Sequence, residues 1–201
     1  MLSDIRSLLI DRDMESFIGK TTSVIASILF FFVVFFGYAA ITLILNNLGE
    51  PLTNILAMFQ VFLIYFIIPG FIALTIICIC QFIIGRLLGG KTQFANFYSK
   101  TLYLITLPSA AFFLILVIIH AIIGQGHVLA VDASPYYRLG ISISNFLTIL
   151  QIIYLLYLNA LFVKHSMQLT NIKTIITSVI PAIVGSAIFW VYFILLTRVI
   201  P

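Results

Sequence analysis

The chain has very few charged residues. Only 8% of its 201 residues are Asp, Glu, Lys or Arg, whereas a soluble domain has about 25%. Hydrophobic residues make up 63% of the chain, and the mean hydropathy is +1.24. A water-soluble core of this length cannot bury so much apolar surface, so we expect lipid to be the solvent. The net charge of +4 is therefore not read as a nucleic-acid signal, because in a membrane protein the position of the cations matters more than their sum.

Cysteine is scarce, and common enzyme motifs are absent. Cys78 and Cys80 lie two residues apart in an apolar run, and such positions do not face each other on a helix. We expect buried thiols rather than a mutual disulfide or a metal site. His120, His127 and Asp132 lie near one predicted loop, but their spacing matches no metal motif. The chain also lacks the HExxH, GxSxG and P-loop motifs, so we expect no enzymatic activity and no cofactor.

Five apolar runs are each long enough to cross a bilayer, which takes about 20 apolar residues. We predict an all-α membrane protein with spans at about 23–45, 60–84, 101–123, 139–163 and 174–197. Residues 1–20 form a separate N-terminal segment, predicted to be an amphipathic helix on the membrane surface because its apolar and acidic residues fall on different faces. Residues 21–201 form the membrane domain, and a second amphipathic interfacial segment, 92–100, precedes the third span.

The lysines and arginines predict how the chain threads the membrane. With five spans, eight of the ten fall on one side: Arg6, Arg12, Lys20, Arg86, Lys91, Lys100, Lys164 and Lys173. Arg138 and Arg198 fall on the other side. Cations in short loops favour the cytoplasmic face. We therefore predict a cytoplasmic N-terminus and a C-terminus outside the cell.

The stretch 85–108 joins the second and third spans and is the main polar junction within the apolar sequence. It contains Gly89-Gly90-Lys91, then Phe94 and Phe97, and then the run 103–108 that ends in a proline. This pattern resembles the Yip1-domain family of five-span membrane proteins, and the segments 154–160 and 168–174 fit the same family. The short segment before the first span resembles the prokaryotic branch. The resemblance implies a location in the inner or plasma membrane of a prokaryote, and it does not extend to the binding of Rab-type GTPases by eukaryotic members.

Two groups of polar residues are candidate functional sites. Lys91, Phe94, Phe97 and Lys100 are candidate contacts for anionic lipid headgroups or a protein partner; the alternative is simple anchoring of a cytoplasmic loop. Ser144, Asn145, Thr148 and Gln151 form a polar stripe on the fourth span. The stripe either lines a solute path or makes hydrogen bonds between helices. No charged residue is expected deep in a span, which argues against an ion-coupled transporter.

Small residues at helical spacing predict close helix packing. They are Gly85 and Gly89 at the end of the second span, and Ser178, Ala182 and Ser186 on the fifth. We predict a non-enzymatic scaffold or adaptor that binds other membrane proteins or shapes the bilayer. The alternative is a small permease or channel subunit of an oligomeric complex. The expected partners are the lipid bilayer, other membrane proteins and a possible second copy of the chain, without nucleic acid.

Overall fold

The computed structural model describes residues 17–18, 22–46, 51–123 and 135–199. Within these ranges the regular elements are helices, and no strand is present. The helices are α1 (Val24–Asn46), α2 (Leu52–Phe62), α3 (Ile68–Leu87), α4 (Phe94–Ile123), α5 (Pro135–Met167) and α6 (Asn171–Val199), and a π-helical turn (Leu63–Ile67) joins α2 to α3. The all-α prediction is therefore confirmed for the described part of the chain.

Five helices in these ranges are long and apolar enough to cross a membrane, judged by length and composition. Four of them are α1, α4, α5 and α6; the fifth is the continuous rod Leu52–Leu87, of 36 residues, made by α2, the π turn and α3. At 1.5 Å per residue this rod is about 54 Å long. It exceeds the roughly 30 Å hydrocarbon core, so it must tilt or extend beyond that core. The rod begins at Leu52 rather than near residue 60, the predicted start of the second span.

The π turn lies immediately before the proline of the rod. Pro69 is in the first turn of α3, and the π turn ends at Ile67. A proline ring clashes with the carbonyl group four residues earlier, and it removes one backbone donor. The wider π turn contains that earlier residue, Tyr65, so the helix accommodates Pro69 without being interrupted.

The packing between helices follows a simple order around the bundle. Helix α4 packs against α1 on one side and α5 on the other, and α6 packs against both α5 and α3. A Cβ atom at Gly85 would lie 3.5 Å from Cγ2 of Thr177, and one at Gly185 would overlap Cδ1 of Ile77. Helices α3 and α6 are therefore antiparallel, with glycines where the backbones approach closely.

The phenylalanines of α1 fill the space towards α3 and α4. The ring centroids of Phe31 and Phe71 are 5.2 Å apart. Tyr38 stacks on Phe113 of α4 at 3.9 Å, and Phe31 is 3% exposed. Aromatic pairs at these distances add stabilisation beyond that of buried area. The bulky residues of α1 thus serve packing inside the bundle as well as contact with lipid.

The largest group of buried apolar residues lies at one end of the bundle. We call residues 88–93, which join α3 to α4, the elbow, and the end of the bundle that carries them the elbow end. The core there contains Phe17, Phe97, Leu104, Leu107, Leu158, Phe162, Val163, Met167 and Leu169. This cluster joins the start of α4 to the end of α5 and to residue 17.

The segment predicted to lie on the membrane before the third span is not a separate element. Residues 94–100 are the first turns of α4, which continues without interruption to Ile123. Residues 97–102 are buried, because residue 17, α1 and α5 cover them, so they do not lie flat on a membrane surface. The N-terminal interfacial helix predicted for residues 1–20 falls almost wholly outside the described residues.

Candidate functional site at the elbow end

The elbow begins with a tight C-terminal cap on α3. The N–H of Gly90 donates to the carbonyl of Gly85 at 2.8 Å, and the N–H of Gly89 donates to the carbonyl of Arg86 at 3.1 Å. These two bonds form a Schellman motif. Gly89 has φ of 101°, a conformation that glycine adopts at little cost. The Gly-Gly pair therefore ends the helix and turns the chain.

Two basic side chains hold the elbow against the bundle. Nη1 of Arg86 donates to the carbonyl of Gly90 at 3.2 Å. Nζ of Lys173, at the start of α6, donates to the carbonyl of Leu88 at 2.8 Å. Cations near the C-terminus of a helix also interact favourably with its dipole. Arg86 and Lys173 thus neutralise the end of α3 and fix the elbow to α6.

Lys100 lies inside the bundle. Its side chain is 1% exposed, its Nζ donates to the carbonyl of Phe17, and Nζ lies 5.0 Å from the centroid of the Phe17 ring. Phe17 is itself 1% exposed and packs edge-on against Phe162. Lys100 therefore holds residue 17 against α4 through a charged hydrogen bond and a cation–π contact.

The burial of Lys100 corrects one expectation from the sequence. Its ammonium group is not exposed to lipid headgroups in this structure, because residue 17 covers it. Lys100 also lies within the apolar stretch Phe94–Ile119, but near the start of that stretch, so the expectation that no charged residue lies deep in a span is not contradicted. It lies in the second turn of α4, close to the elbow.

Neighbouring polar side chains of α4 also make bonds across the bundle. The hydroxyl groups of Ser99 and Thr22 are 2.8 Å apart, and those of Tyr98 and Thr75 are 3.0 Å apart. Ser99 and Tyr98 are buried, and buried polar groups that are fully bonded give a segment a fixed position. The first turns of α4 are thus joined to the chain before α1 and to α3.

The four predicted contact residues divide into two pairs. Lys91 is exposed, and Phe94 is 40% exposed while its ring stacks on Tyr98. Phe97 is fully buried, with its ring 5.3 Å from that of Phe162, and Lys100 is buried as described. Of the four residues, Lys91 and Phe94 are therefore the two that are exposed.

The four residues of the polar stripe on the fourth span do not all face the same side of the bundle. Gln151 is 8% exposed, and its Nε2 donates to Oγ of Ser109 at 3.1 Å. Thr148 is exposed and donates to the carbonyl of Ser144 in its own helix at 2.9 Å. Asn145 is exposed. Gln151 thus makes the expected inter-helix bond, whereas Asn145 and Thr148 point away from the other described helices.

The two packing residues predicted at the end of the second span, Gly85 on α3 and Gly89 in the elbow, have different roles. Gly85 makes a close contact, since a Cβ atom there would overlap the sulfur atom of Met167. Gly89 has nothing within 4 Å of its Cβ position, so it serves the turn and not helix packing.

The packing face of α6 is offset from the predicted stripe. Ser178 is buried, Ala182 is half-buried and Ser186 is exposed. The face that meets the bundle instead runs through Thr177, Pro181 and Gly185, together with Thr174 and Ser178. The closest approach is made by Gly185, the one glycine of this helix, which the sequence reasoning did not select.

The two cysteines are free thiols, and only Cys78 is buried. Among the side chains that the structure describes, no group of three or more His, Cys, Asp or Glu residues is placed to hold a metal. His127 and Asp132 lie outside the described residues.

No family model matches the chain, and no curated protein or solved structure matches it significantly. The resemblance to the Yip1-domain family therefore depends on the residues quoted above and stays a prediction.

Proposed function

We propose that the chain is a non-enzymatic membrane scaffold or adaptor of the Yip1 type, and that its elbow end docks another membrane protein. The observation that carries this proposal is the exposure of Lys91 and Phe94 on a rigid support. The support consists of the capping bonds at Gly89 and Gly90 and the bond from Lys173 to Leu88. A surface fixed before binding loses little conformational entropy on association.

The elbow end would face the cytoplasm of a prokaryotic cell, with the N-terminus on the same side and the C-terminus outside. The support for this orientation is the distribution of cations, since Arg86, Lys91, Lys164 and Lys173 all belong to this end. Their charge would attract an acidic segment of a partner or the anionic headgroups of the inner leaflet. A cation beside an exposed aromatic ring suits a partner that offers both a carboxylate and an apolar side chain.

The experiment is quantitative crosslinking in native membranes, followed by purification of the chain and identification of bound proteins. We expect Lys91→Glu and Phe94→Ala to reduce recovery of a specific membrane partner. Phe146→Ala is the matched control, because Phe146 is 61% exposed on α5, far from the elbow. If all three variants recovered the partner as well as the original chain, the elbow would not be the docking surface.

The alternative, a permease subunit, is tested by solute flux in liposomes containing the purified protein. The bond between Gln151 and Ser109 supports a packing role for Gln151. Flux that Gln151→Leu abolishes would overturn the scaffold proposal.

The orientation is tested separately by labelling single cysteines in a variant without Cys78 and Cys80. Cysteines at Lys91 and Ser134 should react with impermeant reagents from opposite faces of the membrane. Lys91 is the suitable inner position because it is exposed. Labelling of both positions from one face would refute the predicted threading.

A further inference from the structure

Gln81 is a buried amide that lacks a hydrogen-bond partner. It lies on α3 and is 1% exposed. Neither its Nε2 nor its Oε1 is bonded to any group in the described part of the chain. Buried amides in native proteins are almost always bonded, and surrounding lipid offers neither donor nor acceptor. A group that satisfies this amide is therefore expected.

The residues one turn before and after Gln81 fix the part of α6 that it faces. Gly85 faces Thr177, and Ile77 faces Gly185. Gln81 lies midway between Ile77 and Gly85 on the same side of α3, since residues four apart share a helix face. It therefore faces the middle of the α6 segment between Thr177 and Gly185.

This α6 segment has one buried side chain without a partner and one carbonyl that loses its usual helical donor. Oγ of Ser178 is buried and unbonded among the described residues. Pro181 is at the centre of the segment and is buried. Because proline has no N–H, the carbonyl of Thr177, four residues earlier, loses its helical donor. Gln81, Ser178 and this carbonyl thus lie at one level of the bundle.

Helix α5 brings a further acceptor to the same level. Oδ1 of Asn159 is buried and has no partner within the described ranges. The Cβ position of Gly90 lies 3.1 Å from Cβ of Met167, and α3 and α5 both run towards the elbow. Asn159 lies two turns before Met167 on the same face of α5, and Met167 meets Gly85 one turn after Gln81, so Asn159 faces α3 within about one turn of the depth of Gln81.

We propose that bound water occupies a polar site between α3, α5 and α6, centred on Gln81. Water both donates and accepts, and one buried water typically makes about three hydrogen bonds to groups that are otherwise unsatisfied. It would accept from Nε2 of Gln81 and donate to the carbonyl of Thr177 or to Oδ1 of Asn159. The water site would also satisfy the carbonyl that Pro181 frees.

Radiolytic hydroxyl-radical labelling tests this proposal, because bound water produces radicals next to buried side chains. Met167 is the internal reporter: it is fully buried, and its sulfur lies beside Gly85, one turn from Gln81. We expect Met167 to be oxidised in the original chain. In Gln81→Leu the oxidation should fall by about fivefold or more, because the water loses the amide that holds it. Met58, which is 43% exposed on α2, should be oxidised equally in both proteins.

Two results would overturn the proposal: an original chain in which Met167 is not oxidised, or oxidation that Gln81→Leu leaves unchanged. The melting temperature gives a second readout. If the amide is dry and unbonded, Gln81→Leu should raise the melting temperature by several degrees. If the amide is hydrated, the same substitution should leave the melting temperature unchanged or lower it. If Gln81→Leu fails to fold, Ser178→Ala is the substitute variant. It removes one partner of the water and should lower Met167 oxidation measurably, and the absence of any decrease would refute the site.

Discussion

The elbow depends on a close contact at Gly90, and Gly90→Ala tests it directly. A Cβ atom at this position would lie 2.8 Å from the carbonyl oxygen of Gly85 and 3.1 Å from Cβ of Met167. The first neighbour is backbone, and its carbonyl accepts the N–H of Gly90 at 2.8 Å. Neither atom is the far end of a flexible side chain, so the elbow itself must move to admit a methyl group.

The loss of folding free energy in Gly90→Ala follows from the contacts and hydrogen bonds that this movement disturbs. Overpacking a well-packed site costs about 1–3 kcal/mol. The shift also weakens the Gly90–Gly85 bond and the bond from Arg86 to the carbonyl of Gly90, each worth about 0.5–1.5 kcal/mol. Together these give a destabilisation of about 2–6 kcal/mol. A domain of this size loses roughly 2–4 °C in melting temperature per kcal/mol, so we expect a decrease of the order of 10 °C.

The assay is thermal unfolding of the purified protein in mild detergent. Unfolding is measured as the loss of the monodisperse species with temperature. Gly37→Ala is the matched control, because nothing lies within 4 Å of its Cβ position in α1. That change should be neutral or stabilising by about 0.5–1 kcal/mol, since alanine favours helix over glycine. A Gly90→Ala protein that melts within a degree or two of the original would refute the close contact at the elbow.

Three further substitutions probe the bundle by the same thermal assay. Phe97→Ala should destabilise by about 3–5 kcal/mol because the ring is fully buried, whereas Phe94→Ala, at the exposed surface, should cost much less; equal effects would contradict the assigned burial. Gln151→Leu should cost about 0.6–2 kcal/mol through loss of its bond to Ser109, and a gain in stability would disprove that bond. Gly185→Ala should cost about 1–3 kcal/mol by overlap with α3, and a neutral result would refute the close approach of the two helices.

The sequence predicts the five long helices because lipid as solvent leaves few other structures. A segment that crosses a bilayer must bond its own backbone, so composition and run length indicate the helices without knowledge of packing. The elbow was also visible, since Gly89 and Gly90 with a following lysine mark the end of a helix. These features depend on residues close together in the chain.

The features that the sequence did not predict depend on contacts between distant residues. Lys100 looks like an interfacial cation by its place in the chain, but in the fold it is buried and bonded to residue 17, which is 83 positions away. On α6, the series 178–182–186 and 177–181–185 have the same spacing and differ by one residue. Periodicity alone does not select between such neighbouring faces, because both series repeat every four residues. The choice is made by α3, where Ile77 fits against Gly185.

The two ends of the bundle differ in how tightly they are packed, and this difference favours one of them as the binding site of a partner. At the elbow end, Lys100 and Phe97 are buried, and the elbow is bonded to both α3 and α6. At the opposite end, α2 contains no buried residue, and an open apolar groove of about 300 Å³ lies between α1 and α2. Lipid chains suffice to cover that groove, because it offers almost no polar group that needs a partner. A protein that must recognise this chain specifically therefore gains more from the elbow, where charge and shape are both held in place.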